Sequence, residues 1–191
     1  MMQRVDIPIF YWVNRWPEAW ATFFRFLSEA TNYAGVKIFL VTLLLAMMFR
    51  SRNSRLAAIQ ALVAFPIANE ITDVLKQQLP DPRPFQVLPD VIMRVGGTDS
   101  MGTASAHSAN MAAVAVAMTL NLKWWGAPWI IIAVLTGISR IYCGAHFPGQ
   151  VLWGWCVGIS VGFAVHFLWR AIETWRRQRN EPATAGANHA E

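Results

Sequence analysis

The chemistry-bearing residues of the chain fall in three short stretches: Lys76, Arg83 and Pro84 in KQQLPDPRP, Ser105 and His107 in TASAHSAN, and Ser139, Arg140 and His146 in SRIYCGAHFPGQ. Together they bring three cations and two histidines, a set suited to a phosphate dianion. Arg83 and Arg140 offer planar forks of donors, and Lys76 a point charge. Phosphoryl transfer depends mainly on positioning and electrostatics, so fixed cations can take the part that metal ions take elsewhere. One histidine can then attack phosphorus while the other protonates the leaving oxygen. Such a set requires no cofactor and no metal ion.

Stretches so far apart in sequence need a scaffold that returns them to one place. The hydrophobic fraction is 55% and the charged fraction 14%, against about 25% charge in soluble domains. Five segments approach the roughly 20 apolar residues that cross a bilayer: 31–49, 56–75, 107–123, 127–144 and 149–169. The expected fold is all-α, an integral membrane helical bundle of about five transmembrane helices. Residues 1–30 are aromatic on one side but interrupted by Asn14, Arg15, Glu18 and Arg25, which predicts an N-terminal interfacial amphipathic helix. Residues 31–169 form the transmembrane core, 1–179 a single domain, and 180–191 a polar, disordered tail. The long connection from Leu79 to Thr103 joins the first two stretches, and the hairpin of the next two apolar segments carries the third back to the same membrane face. All three can therefore line one interfacial pocket.

The net charge of +5 is spread between apolar segments or gathered in short clusters beside them, which fits a membrane surface and not a nucleic acid. Arg50, Arg52, Arg55, Lys123, Arg170, Arg176, Arg177 and Arg179 fall on one side of a five-span bundle. By the positive-inside rule that side is cytoplasmic and the pocket faces outward, as in a bacterial cytoplasmic membrane. Trp124, Trp125, Trp129 and Trp169 lie near the ends of apolar runs, where indoles gather. Cys143 and Cys156 have no metal-ligand spacing and read as buried free thiols. Asp73 is placed to pair with Lys76 at i, i+3 spacing, whereas Asp90 and Asp99 solvate the long loop. His166 has no second ligand at helical spacing and reads as structural.

In these motifs the chain resembles the type 2 phosphatidic acid phosphatases, relatives of the vanadium haloperoxidases, over roughly residues 60–165. The family's first motif, Lys, six residues, Arg-Pro, is matched fully by residues 76–84. The second, Pro-Ser-Gly-His, reads Ala104-Ser105-Ala106-His107. The third, Ser-Arg, five residues, His, three residues, Asp, is matched through His146 and has Gln150 in the last place.

The resemblance implies a membrane phosphatase acting on a lipid phosphate or diphosphate. By it, His146 is the nucleophile that becomes phosphohistidine, and His107 the acid for the leaving group and then the base for water. Lys76, Arg83, Ser105, Arg140 and the backbone N–H of Ala106 bind phosphoryl oxygens. Gln150, in place of the aspartate, can accept from the nucleophile's Nδ1–H but supplies no counter-charge. The AHFPGQV run is similar to glucose-6-phosphatase and dolichyl-diphosphate phosphatase branches that also use glutamine here, which implies an active enzyme. Two alternatives stay open: a catalytically weak binder of lipid phosphates, and phosphotransfer to a second lipid or sugar acceptor.

Overall fold

The computed structural model describes residues 3–180, in which every regular element is helical. The helices are α1 (Gln3–Asn14), α2 (Ala21–Glu29), α3 (Ala34–Arg50), α4 (Arg52–Gln78), α5 (Pro84–Val87), α6 (Ala106–Leu122), α7 (Ala127–Tyr142) and α8 (Pro148–Asn180). Each of the five expected apolar segments falls on one long helix, α3, α4, α6, α7 or α8. The expected tail beyond residue 180 lies outside the described residues.

Sharp local signals divide these helices. Ser51 is extended, and its Oγ accepts the Ser54 N–H at 3.1 Å, capping α4 directly after α3 ends. Lys123 adopts φ 55°, which stops α6 before a single 3₁₀ turn, Lys123–Gly126, starts α7. By length and composition Arg52–Gln78, Ala106–Tyr142 and Pro148–Asn180 qualify as membrane spans, and Glu18–Asn32 with Ala34–Arg50 form a pair bent by 65° that counts as a fourth. The segment Ala106–Tyr142 is itself folded back at Lys123, since α6 packs along α7, and so runs through the bundle twice.

The centre of the bundle is α6, which packs against α4, α7 and α8. Most of its inward residues are small: Ala109, Ala112, Ala113, Ala115 and Ala117 are all buried, with Met118 the large exception. Opposite them on α8, a Cβ added to Gly154 would strike the Ser105 carbonyl and one added to Gly158 the Ala109 carbonyl. The two backbones therefore touch, as small-residue helix contacts in membranes require. Large side chains point outward instead, among them Phe39, Phe49, Leu152, Phe167 and Leu168. Trp124 and Trp125 stand out from the α6–α7 turn, 89% and 86% exposed, where an aromatic belt would place them. Cys156 is exposed on α8, unlike Cys143, so only one of the two thiols is buried.

The N-terminal arm, expected as an interfacial helix over residues 1–30, is divided at residues 15–20 into α1 and α2. Phe10, Val13 and Phe24 from the arm are buried with Ile141, Tyr142, Cys143, Phe147 and Val151. Its polar residues dock it onto the long loop. The buried Asn14 accepts from Ile92 N–H and donates to the Ile92 and Tyr142 carbonyls, and Glu18 pairs with Arg94 at 2.9 Å. Arg94 is in turn 4.0 Å from the Tyr142 ring centroid. These bonds hold the loop and the arm over one end of the bundle, the end at which α4 and α7 finish and α6 and α8 begin.

Candidate active site

His146 is presented by the tight turn between α7 and α8. The turn satisfies the last carbonyls of α7 in a Schellman pattern: Gly144 N–H donates to the Ile141 carbonyl and Ala145 N–H to that of Arg140, both at 3.0 Å. Gly144 takes φ 81°, and a Cβ there would also press on the Ile92 carbonyl of the long loop, so glycine is required on both counts. The turn leaves His146 2% exposed, with Pro148 opening α8 two residues later.

Hydrogen bonds fix the His146 tautomer. Gln150, also 2% exposed, donates from Nε2 to Asp81 Oδ2 and to the Pro82 carbonyl, both at 2.8 Å. Its Oε1 accepts the Phe147 N–H at 3.2 Å. With two acceptors on one side of the amide and a backbone donor on the other, the amide has one orientation. His146 Nδ1 lies 3.1 Å from that oxygen and must donate to it. The lone pair is therefore on Nε2, which accepts from Arg83 Nη1–H at 3.0 Å. Burial, joined by the charges of Arg83 and Arg140, holds this imidazole well below the usual histidine range. It is neutral, with the Nε2 lone pair intact.

Arg83 is placed by local chain geometry. Pro84 opens α5, and Gln86 Oε1 accepts the Arg83 N–H at 2.8 Å, which holds Arg83 in extended conformation at the cap. Its guanidinium, besides meeting His146, donates to Ser100 O at 2.7 Å, Ser100 Oγ at 2.9 Å and Ala145 O at 3.2 Å. One side chain thus ties the long loop to the turn that carries His146. The ends of the loop are joined as well: Gly102 N–H donates to the Asp81 carbonyl at 2.7 Å, and Thr103 Oγ1 bonds the Leu79 carbonyl.

The other expected residues gather at the same end. Arg140 is 8% exposed; its Nη1 donates to the carbonyl and hydroxyl of Ser28 on α2, while its Nε is buried with no partner among the described residues. Such an orphan donor is costly unless a ligand supplies an acceptor. His107 lies in the first turn of α6, exposed, at the end of the bundle where α4 and α7 finish. Lys76 is paired with Asp73 at 2.7 Å, as the sequence spacing predicts. Ser105 is fully buried and caps α6, its Oγ accepting the Ser108 N–H at 3.3 Å. Its own N–H is bound to the Gln150 carbonyl at 2.9 Å, which joins the starts of α6 and α8. Ala106 is the first residue of α6, where N–H groups lack helical partners and favour an anion.

Three participants escape the motifs. Ser28 reaches Arg140, and Asn14 reaches the adjoining end of α7 at Tyr142, each across more than a hundred residues of sequence and with no local signal. Asp81 sits inside the first motif, and its signal was there to read: an acid two residues before the motif arginine, Arg83. Beside Gln150 opens a cavity of about 550 Å³, lined by Ile7, Leu79, Val87, Leu88, Phe147 and Trp153 with the acids Asp6 and Asp81. The carboxylates make this cavity acidic, whereas the cations Arg83 and Arg140 stand on the His146 side of Gln150.

Comparison with known proteins gives the family and the fold. Residues 57–174 match the model of the PAP2 superfamily, and the chain belongs to that family. It is 34% identical over 120 residues to an undecaprenyl-diphosphatase of Sulfolobus acidocaldarius, a match covering 62% of this chain but 58% of that protein, less than two thirds of its length. It is 31% identical over 133 residues to the undecaprenyl-diphosphatase BcrC of Bacillus subtilis, covering 70% and 68% of the two chains. Its fold is similar to that of a PAP2-type phosphatidylglycerolphosphate phosphatase from Bacillus subtilis, with a TM-score of 0.70 at 23% identity over 90% of this chain and 87% of that one. LpxE of Aquifex aeolicus superposes with a TM-score of 0.69, also at 23% identity, over 84% and 94%. With its apolar helices, this family membership makes the chain a multi-pass membrane protein.

Proposed function

We propose that this PAP2 superfamily protein is a phosphatase that hydrolyses a lipid phosphate or prenyl diphosphate through a phosphohistidine on His146, without a metal ion. The observation that carries the reading is the held tautomer: Nδ1–H bound to Gln150 and a lone pair on Nε2 facing Arg83. When the phosphoryl group enters, the Arg83 guanidinium passes from Nε2 to a phosphoryl oxygen, and Arg140 offers its unpartnered Nε–H to another. Lys76 and the N-terminal N–H groups of α6 add positive charge. Nε2 forms a bond to phosphorus as the bond to the leaving oxygen breaks, and His107 protonates that oxygen. His107 then takes a proton from water, whose oxygen displaces Nε2 and releases phosphate.

The apolar wall of the cavity beside Gln150 suits an acyl or prenyl chain. The cationic end, with Arg50, Arg52, Arg55, Lys123 and the C-terminal arginines of α8, lies opposite the site, which supports an outward-facing site in a bacterial cytoplasmic membrane. Phosphate release should be measured from undecaprenyl diphosphate, phosphatidate and phosphatidylglycerophosphate in detergent with excess chelator, with His146→Ala as control. Turnover that survives chelation and vanishes in the variant is expected, and dependence on added metal would overturn the mechanism. A second reading, a lipid-phosphate binder with little turnover, draws on Arg83 capping the nucleophile; tight binding without phosphate release would favour it.

A further inference from the structure

Gln150 is neutral where the family motif has a carboxylate, yet a carboxylate stands one hydrogen bond further out. Asp81 Oδ2 accepts from Gln150 Nε2 at 2.8 Å, while Gln150 Oε1 accepts from His146 Nδ1 at 3.1 Å. The chain is continuous from carboxylate to amide to imidazole, and its middle member is buried. Asp81 is itself held: its N–H donates to Thr103 Oγ1 at 3.1 Å and its carbonyl accepts from Gly102 N–H at 2.7 Å. A Cβ on Gly102 would run into the Gln150 amide, so the loop also packs against the relay.

We infer that Asp81 is the positioning carboxylate of this site, acting on His146 through the Gln150 amide in place of a carboxylate at residue 150. Two effects follow from its position. A negative charge on the N–H side of the amide polarises it, which places more negative charge on Oε1, the atom facing His146 Nδ1–H. The imidazole becomes cationic when phosphorus bonds to Nε2, and this oxygen then carries part of the missing counter-charge. Asp81 also holds the amide against rotation, a task shared with the Pro82 carbonyl. The first effect needs charge and the second only an acceptor, so an asparagine at 81 separates them.

The inference rests on the phosphatase reading, and the test is built to tell the two apart. Purified wild type, Asp81→Asn, Gln150→Glu and the double variant are compared for kcat and KM on the best lipid substrate, with thermal unfolding of each. Asp81→Asn should unfold as wild type does, keep KM within about two-fold and lose kcat about five- to ten-fold. Gln150→Glu puts a second carboxylate against Asp81, where like charges oppose each other, and should lose more than about ten-fold. The double variant moves the charge from 81 to 150 and should return to within about three-fold of wild type, a coupling that independent sites do not show. If the wild type releases no phosphate from any lipid, the functional reading fails and the relay with it. If the wild type turns over while Asp81→Asn keeps full kcat, or the double variant is no better than Gln150→Glu, the relay alone is overturned.

Discussion

The chain contains the same side-chain pair twice, once at each end of the bundle. His146 Nδ1 meets Gln150 Oε1 at 3.1 Å, and His166 Nδ1 meets Gln60 Oε1 at 3.0 Å. Around Gln150 both faces of the amide are engaged, so the neighbouring imidazole has one tautomer. Gln60 Oε1 also accepts from Asn121 Nδ2 at 2.8 Å, but its Nε2 is buried without a partner among the described residues. The imidazoles differ as well: the far nitrogen of His146 faces arginines, whereas His166 stacks edge-on to Phe167 on a partly exposed face of α8. A histidine–glutamine pair is thus not a site in itself. It becomes one when the amide is anchored from behind and cations surround the free nitrogen.

The largest effect should separate the two histidines. His146→Ala is expected to lower kcat by about 10⁴-fold or more, in the range lost when a nucleophile is removed, while His166→Ala should stay within about two-fold. Trapping of phosphate on protein in wild type and His166→Ala, but not in His146→Ala, checks the assignment directly. Equal losses in the two variants would break the comparison.

The cations come next. Arg83→Ala and Arg140→Ala should each cost about 10²- to 10³-fold, the usual loss for one donor to a developing anion. A subtler consequence concerns pH. Protonated His146 cannot attack, and burial with the two arginines keeps it neutral to pH values well below the ordinary histidine range. The acid limb of kcat/KM should therefore lie below that range in wild type. Arg83→Gln removes a repelling charge, raises the His146 pKa and should move the limb to higher pH; an unmoved limb would mean another group sets it.

The glutamines give a smaller and more diagnostic contrast. Gln150→Leu leaves Nδ1–H unpaired and the tautomer free, and should lower kcat about 10- to 100-fold. Gln60→Leu removes a group that already has an orphan Nε2; it should leave kcat within about two-fold and alter stability by about 1–2 kcal/mol at most. Activity and thermal unfolding measured on the same two proteins make the test.

The same contrast marks what the sequence made legible. Lys76, Arg83, His107, Arg140 and His146 announce themselves by residue type and order, and long apolar runs announce the five helices. The Asp73–Lys76 pair follows from helical spacing alone. What stayed hidden depends on contacts that no period encodes. The arm docks through Asn14 and Glu18, polar residues that look like obstacles to a membrane segment until the loop acceptors and Arg94 are seen. Asp81 gains its meaning only when the start of α8 brings Gln150 beside it, and Ser28 only when α2 lies on α7.

Ser28 makes the smallest prediction and the one that best refines the cationic end. Its hydroxyl and carbonyl occupy Arg140 Nη1 in the structure, so an entering phosphate must compete with them or share the guanidinium. A single hydrogen bond contributes about 0.5–1.5 kcal/mol net, somewhat more when it involves a charge, and the Ser28 carbonyl remains after the hydroxyl is removed. Ser28→Ala should therefore lower KM by only about two- to three-fold and leave kcat unchanged, because the arginine is released without losing its place. A rise in KM would reverse the reading: Ser28 would then be holding Arg140 in the orientation that receives phosphate. That result would make the N-terminal arm part of the binding apparatus, whereas a fall would make it a competitor that substrate displaces.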